Sequence, residues 1–187
     1  MATDTKEMIM TAARAMVQAR GYNALSFREL AKGVGIKSAS IHYHFPTKGD
    51  LGAALARRYT EEGVAYLDGV LAASLDRRSC INSYTNIFRA ALENDNRMCL
   101  CGIMAAERED LPAEVRLEVD RFTDANVRWL TEVLVQNNPD LKQSEVEPRA
   151  LAIFAAIEGA QLVARGRGDV AVFDQTINSF QAAGLFS

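Results

Sequence analysis

Three groups of residues in this 187-residue chain could do chemistry by their types and spacing. The first is the run Lys37-Ser38-Ala39-Ser40-Ile41-His42-Tyr43-His44, with Lys48 just beyond it. Small hydroxyl-bearing side chains let a helix come close to base edges, and flanking cations suit phosphates. The second is Cys99-Leu100-Cys101, a Cys-x-Cys step open to four readings: metal clip, redox pair, reactive thiol or packed helix. The third is Asn126 and Gln161, polar groups beside apolar stripes that need a partner if buried.

Ligand count and helix geometry narrow the cysteine readings. A structural zinc site needs about four Cys or His ligands in one place. Cys80 is distant in sequence and both histidines belong to the first group, so neither a metal nor another cofactor is expected. No nucleophile, base and orienting group occur together, so no enzyme is expected either. If Met98 to Arg108 is helical, Cys99 and Cys101 point about 200° apart around the axis. That opposes a mutual disulfide and lets at most one thiol face a cavity. Cys99 lies near the helix start and two residues from Arg97, and both features favour a thiolate. A reactive Cys99 and a merely packed one both stay open, packing being the default for a small buried cysteine.

The elements that must position these residues are helices. Hydrophobic residues make up 49% and charged residues 24%, enough for a packed core. Good helix formers abound and strand-forming stretches are scarce. Lys6, Glu7 and Arg14 interrupt any apolar leader, and the longest apolar run, Ala150 to Ile157, is too short to cross a bilayer. An odd cysteine count argues for a reducing cytosol. Net charge is −3, yet residues 1–60 hold nine Lys/Arg against four acids, leaving twelve bases and twenty acids beyond. A basic head on an acidic body suggests that the head meets a polyanion.

Helix signals run nearly end to end. Asp4 or Thr5 can cap a first helix, which Gly21 ends. Ser26-x-x-Glu29 is a capping box opening a second, broken by Gly33 and Gly35. Lys37-Ser38 starts a third that stops before Pro46, and Thr47 caps a fourth running to about Leu75. Ser79–Glu93, Met98–Arg108 and Ala113–Gln136 follow. Asn137 to Asp140 reads as a turn, and Ser144–Ala164 and Val170–Ala183 complete an all-α fold of about nine helices. Ala31 is small where two helices would cross, Gly35 supplies a positive-φ turn, and Val34, Ile36 and Ile41 plug the core beneath. That is a helix-turn-helix, whose second helix enters the major groove.

Ile41 to Leu51, IHYHFPTKGDL, closely resembles the signature of TetR-family transcriptional regulators. There a recognition helix ends in an aromatic and His cluster followed by F-P-x-K-x-x-L, here Phe45, Pro46, Lys48 and Leu51. The match spans Ala12 to Leu55. His42 stands where Tyr is more usual, which leaves its own contact open. The resemblance implies a three-helix DNA-binding domain over residues 1–47 and an effector-binding and dimerisation domain over residues 48–187. The expected DNA-contacting residues are Ser26, Arg28, Lys37, Ser38, Ala39, Ser40, His42, Tyr43, His44 and Lys48. The free N–H groups and dipole of the fourth helix at Thr47 are expected to add a phosphate site.

The resemblance also implies a cytoplasmic homodimer, not a membrane protein, paired through Ser144–Ala164 and Val170–Ala183. Leu151, Ile153, Phe154, Ile157, Leu162 and Val163 are more apolar positions than one side of a solvated helix needs, which fits independently. Two recognition helices about 34–36 Å apart then expect a near-palindromic double-stranded operator. TetR-like proteins usually bind a small effector that lowers DNA affinity, so a ligand-responsive repressor is expected. Candidate lining residues are Tyr66, Phe88, Cys99, Ile103, Met104, Phe122, Asn126, Trp129, Glu158 and Gln161. The alternative is a repressor switched by an electrophile or oxidant through Cys99.

Overall fold

Local capping chemistry decides most helix ends in the computed structural model, which describes residues 2–73, 76–136 and 142–186. Among the described residues there are nine α-helices and no strand: α1 (Ala2–Arg20), α2 (Phe27–Val34), α3 (Ser38–His44), α4 (Lys48–Ala72), α5 (Arg77–Glu93), α6 (Leu100–Ala106), α7 (Ala113–Gln136), α8 (Gln143–Arg167) and α9 (Val170–Ala182). A single 3-10 turn, Arg108–Asp110, joins α6 to α7. No described helix is long and apolar enough to cross a membrane.

The Ser26 side chain accepts from the Glu29 N–H, as the capping box predicts. At the other end of α2, Gly35 sits in the left-handed region at φ 76°, and the Ile36 N–H closes onto the Ala31 carbonyl at 3.0 Å. Gly33 does not break the helix; it lies inside α2, where a glycine costs only about 1 kcal/mol relative to Ala. The first helix begins at Ala2, so Asp4 lies within its first turn, where an acid favours the helix dipole. Asp76, rather than a residue further on, caps α5 by accepting from the Ser79 N–H at 3.1 Å. The sixth helix is shorter than its sequence suggests. Cys99 is its N-cap, its thiol accepting from the Gly102 N–H at 3.4 Å, and Glu107 has already left the helix. Leu75 and the turn expected over Asn137 to Asp140 lie outside the described residues.

The chain divides into two compact units, Met1–Thr60 with Cys99–Phe122, and Glu61–Met98 with Thr123–Ser187. In the first, α1 packs against α2, α3 and α6, and α2 packs against α3. Ile9, Ala13, Val17, Leu30, Ile41, Leu51, Leu100, Met104 and Val115 are all buried there. Each large aliphatic side chain so buried contributes about 1.5–3 kcal/mol. In the second, α5, α8 and α9 pack on one another around Ile81, Tyr84, Phe88, Ile153, Ile157 and Phe173. Arg89 ties α5 to α9 by a two-pronged pair with Asp174, at 2.8 and 3.1 Å. The functional division expected at residue 47 thus differs from the packing division, which groups residues 99–122 with the N-terminal head.

Candidate nucleic-acid interface

Only seven residues long, α3 is two turns, too short to stand alone. It is held from beneath. Ile41 is fully buried, Ala31 lets α2 come close, and Phe45 seals the end. With Ile41 pinned inward, helical spacing turns Lys37, Ser38, Ala39, His42 and Tyr43 outward, and all five are exposed. Ser40 and His44 are half-buried on the flanks, and Arg28 is exposed on α2. Tyr43 stands out: 81% of its surface meets solvent although it is a large apolar ring.

His42 is held in place by two contacts. Its Nδ1–H donates to the Pro46 carbonyl at 3.2 Å, and its ring meets Phe27 edge-on at 4.8 Å. The Tyr43 ring meets the His44 ring edge-on at 5.1 Å. These contacts orient side chains that would otherwise be loose on a short exposed helix.

Two expected phosphate groups are otherwise engaged. The Thr47 N–H and hydroxyl both donate to Asp50 Oδ2, at 2.9 and 2.8 Å, and the Asp50 N–H donates back to Thr47 Oγ1 at 3.0 Å. This reciprocal box, with an acid in its third position, already supplies a negative partner for the start of α4. Lys48 Nζ donates to the Asn23 carbonyl at 3.3 Å and lies 4.4 Å from the centre of the Tyr22 ring. Burial pushes the Lys48 pKa down, and the nearby charges of Glu107 and Asp110 act in the opposite direction. Ser26 spends its hydroxyl oxygen on the α2 cap.

The ten candidate effector-lining residues fall in both units. Cys99, Ile103, Met104 and Phe122 belong to the first; Tyr66, Phe88, Asn126, Trp129, Glu158 and Gln161 belong to the second. In the second unit Tyr84 is the hub. Its O–H donates to Asn126 Oδ1 at 2.8 Å, and its ring stacks on Trp129 at 5.4 Å and leans on Phe88 at 5.3 Å. Gln161 Nε2 donates to the Phe88 carbonyl at 2.8 Å, and Trp129 Nε1 donates to the Leu67 carbonyl at 2.9 Å. Both Glu158 carboxylate oxygens are buried. Tyr66 lies apart from this cluster, 51% exposed on α4. Asn126 and Gln161 therefore meet their polar requirement within the protein.

In the first unit Cys99 lies outside the regular helix that would set its side chain about 200° from that of Cys101. Cys99 has non-helical backbone (φ −47°, ψ 130°) because it caps α6, and both it and Cys101 are buried. The Tyr59 hydroxyl hydrogen-bonds with Cys99, its ring lies 5.6 Å from Phe122, and the Arg14 guanidinium sits 4.7 Å over it. Burial above all pushes the Tyr59 phenol well above its ordinary range, against the opposing pull of Arg14.

The family model described as bacterial regulatory proteins, tetR family, matches residues 9–55. A TetR transcriptional regulator from Legionella pneumophila is similar over nearly the whole length. It is 32% identical, the alignment covering 96% of this chain and 96% of that one, with a TM-score of 0.89. The chain belongs to the TetR family of transcriptional regulators. A TetR-family regulator from Agrobacterium tumefaciens is 28% identical over 96% of this chain and 97% of its own, with a TM-score of 0.86. FadR from Bacillus subtilis, solved in complex with stearoyl-CoA, shares the fold at 15% identity, 92% and 96% coverage and a TM-score of 0.71. No curated protein matches the sequence.

In this TetR-family regulator, the residues that sequence reading passed over are the supports. Phe27 braces His42, Tyr84 gathers the aromatic cluster, and Tyr59, beneath Arg14, meets Cys99. Tyr59 and Tyr84 are aromatic residues within helices, so only their hydroxyls could have signalled more than packing, and Phe27 carries no such sign.

Proposed function

We propose that this TetR-family regulator is a homodimeric repressor that reads a near-palindromic operator through α3 and is released by a small molecule held in its body. The observation that carries the reading is the outward face of α3. An exposed aromatic, two small residues, a hydroxyl and a cation are displayed on a helix locked from below by Ile41. Lys37 and Arg28 suit phosphates, while Ser38, Ala39, Ser40, His42 and Tyr43 suit base edges, thymine methyls and the sugar–phosphate rim. Residues 1–47 carry this task, and residues 48–187 carry pairing and effector binding.

A continuous bare face on α8 supports pairing. Leu151, Leu162 and Val163 are 49%, 55% and 52% exposed, and Ala152, Ala155, Gly159 and Gly166 beside them are exposed too. Ile153, Phe154 and Ile157 on the other side are buried. A helix apolar on both sides, one already packed, fits a second copy of the same helix across a two-fold axis. The effector reading rests on the aromatic cluster of Tyr84, Phe88 and Trp129 with Asn126, Glu158 and Gln161, an apolar wall with few polar groups.

Duplexes selected from a random pool by the full chain test the reading. Tyr43→Ala is expected to weaken binding to the selected duplex by about tenfold or more, with the thermal midpoint unchanged because the side chain is exposed. Equal affinity of variant and wild type would sink the α3 interface. Cys99 is 1% exposed, which favours packing over a thiol switch. Iodoacetamide is therefore expected to leave Cys99 unlabelled in the folded protein, as read by peptide mass spectrometry; rapid labelling with loss of DNA binding would favour the thiol sensor.

A further inference from the structure

The loop after α1 is gripped from two directions. Gly21 has φ 87°, and a Cβ added there would lie 2.6 Å from Glu107 Oε1. With that space kept open, the Glu107 carboxylate accepts from the backbone N–H groups of Tyr22 and Asn23. The Asn23 side chain donates to Asp110 Oδ2 at 2.7 Å, and the Asn23 carbonyl accepts from Lys48 at 3.3 Å. The same Lys48 ammonium lies over the Tyr22 ring. Gly52, one turn along α4, is also space-limited: a Cβ there would come within 2.6 Å of the Tyr22 ring and 3.0 Å of Val115. Four segments of one compact unit thus gather around Tyr22 and Asn23: the end of α1, the start of α4, the 3-10 turn with Glu107 before it, and the start of α7.

Position matters to DNA reading because phosphate and base contacts are made at hydrogen-bond range, and a helix-turn-helix turned by a few degrees loses them. The loop from Gly21 to Leu25 sets how α2 and α3 leave α1. A lysine at the start of α4 reads first as a phosphate contact. Here the half-buried ammonium spends one N–H on the Asn23 carbonyl and lies over the Tyr22 ring.

We propose that Glu107, Asp110 and Lys48 form a clasp that positions the DNA-reading head, with Lys48 a positioning residue rather than a phosphate contact. The inference rests on the DNA-binding reading above. It makes an unusual demand: removing a negative charge near a polyanion-binding head must weaken binding, because the carboxylate's grip on two backbone N–H groups outweighs its repulsion of phosphate.

Operator affinity of the full-length dimer, measured by fluorescence anisotropy from 50 to 200 mM KCl, separates the alternatives. Wild-type binding that falls with salt upholds the DNA-binding reading independently of any variant. Glu107→Gln is expected to weaken binding by about tenfold, the worth of one charge-assisted hydrogen bond, at an unchanged slope of log affinity against log salt. Lys48→Met is expected to do the same, and the double variant to lose no more than the worse single one. The clasp is overturned if Glu107→Gln binds as well as or better than wild type. It is overturned equally if Lys48→Met flattens the slope by about 0.9, the mark of one lost phosphate contact. Should Glu107→Gln not fold, Asp110→Asn on the exposed turn serves instead, with a two- to threefold loss expected and a gain contradicting the clasp.

Discussion

Tyr22 shows how one residue can serve position and carry a cost. Its ring supports Lys48 and fills the space left by Gly52, but its hydroxyl is buried with no hydrogen-bond partner among the described residues. Burial, followed by the charge of Glu114, pushes its pKa up to about 12. The folded state therefore holds the phenol proton more tightly than the unfolded chain, whose tyrosine ionises near pH 10. The stability tied to that proton is fully present below about pH 10 and is lost as pH rises towards about 12. Tyr22→Phe keeps the ring and removes the orphan oxygen. It is expected to raise unfolding free energy by up to about 1 kcal/mol at pH 7 and to flatten the alkaline decline, as read in urea titrations at pH 7, 9.5 and 11. A loss of stability at pH 7 would show that the hydroxyl has a partner in solution. Lys48 teaches the complementary lesson. Its place in the F-P-x-K-x-x-L pattern was legible, but the direction of its donor was not, because that depends on Asn23 and Tyr22 being folded back beside it.

At the scale of elements, caps carried most of what could be read in advance. Ser26-x-x-Glu29 and Gly35 bounded α2, and Val170 and Ala113 began α9 and α7 where the pattern placed them. Gly33 misled because a glycine breaks a helix only where positive φ or an unsatisfied end is needed, and that burden falls on Gly35. Cys99 misled for a different reason. A thiol is a weak acceptor outside the usual capping residues, so nothing in Met98-Cys99-Leu100 announced that the helix starts after it. The consequence was large: once Cys99 is a cap with non-helical backbone, the angle expected between two residues of one regular helix no longer applies to the pair. The α8 pattern was legible as too apolar for a solvated helix, and the exposed Leu151, Leu162 and Val163 show which side lacks cover. Leu162→Arg places a charge in the middle of that face. Sedimentation of the variant is expected to show monomers where wild type shows dimers, with helical content retained; an unchanged dimer would move the interface elsewhere.

For the whole molecule, uneven charge was the earliest signal. Nine bases against four acids in the first sixty residues suit a polyanion, and the acidic remainder does not. What the pattern could not carry was how residues 99–122 would group, because tertiary packing between distant segments leaves no local periodicity. They pack with the head through α1 and α6, and Glu118 shows the strength of that grouping. Its buried carboxylate accepts from Arg57 at 2.7 and 3.1 Å and from Arg121 at 2.9 Å. Glu118→Ala is expected to cost about 1–3 kcal/mol in a urea titration by leaving that arrangement open.

The central claim is that two copies of this regulator present two α3 helices to one face of a duplex. The most direct measurement is affinity for the selected operator with about five base pairs, half a helical turn, inserted between its half-sites. The insertion turns the second major groove to the far side of the duplex. A dimer reading both grooves is expected to lose at least about tenfold in affinity, falling to that of a single half-site. Equal affinity for the native and the expanded spacing would contradict the account.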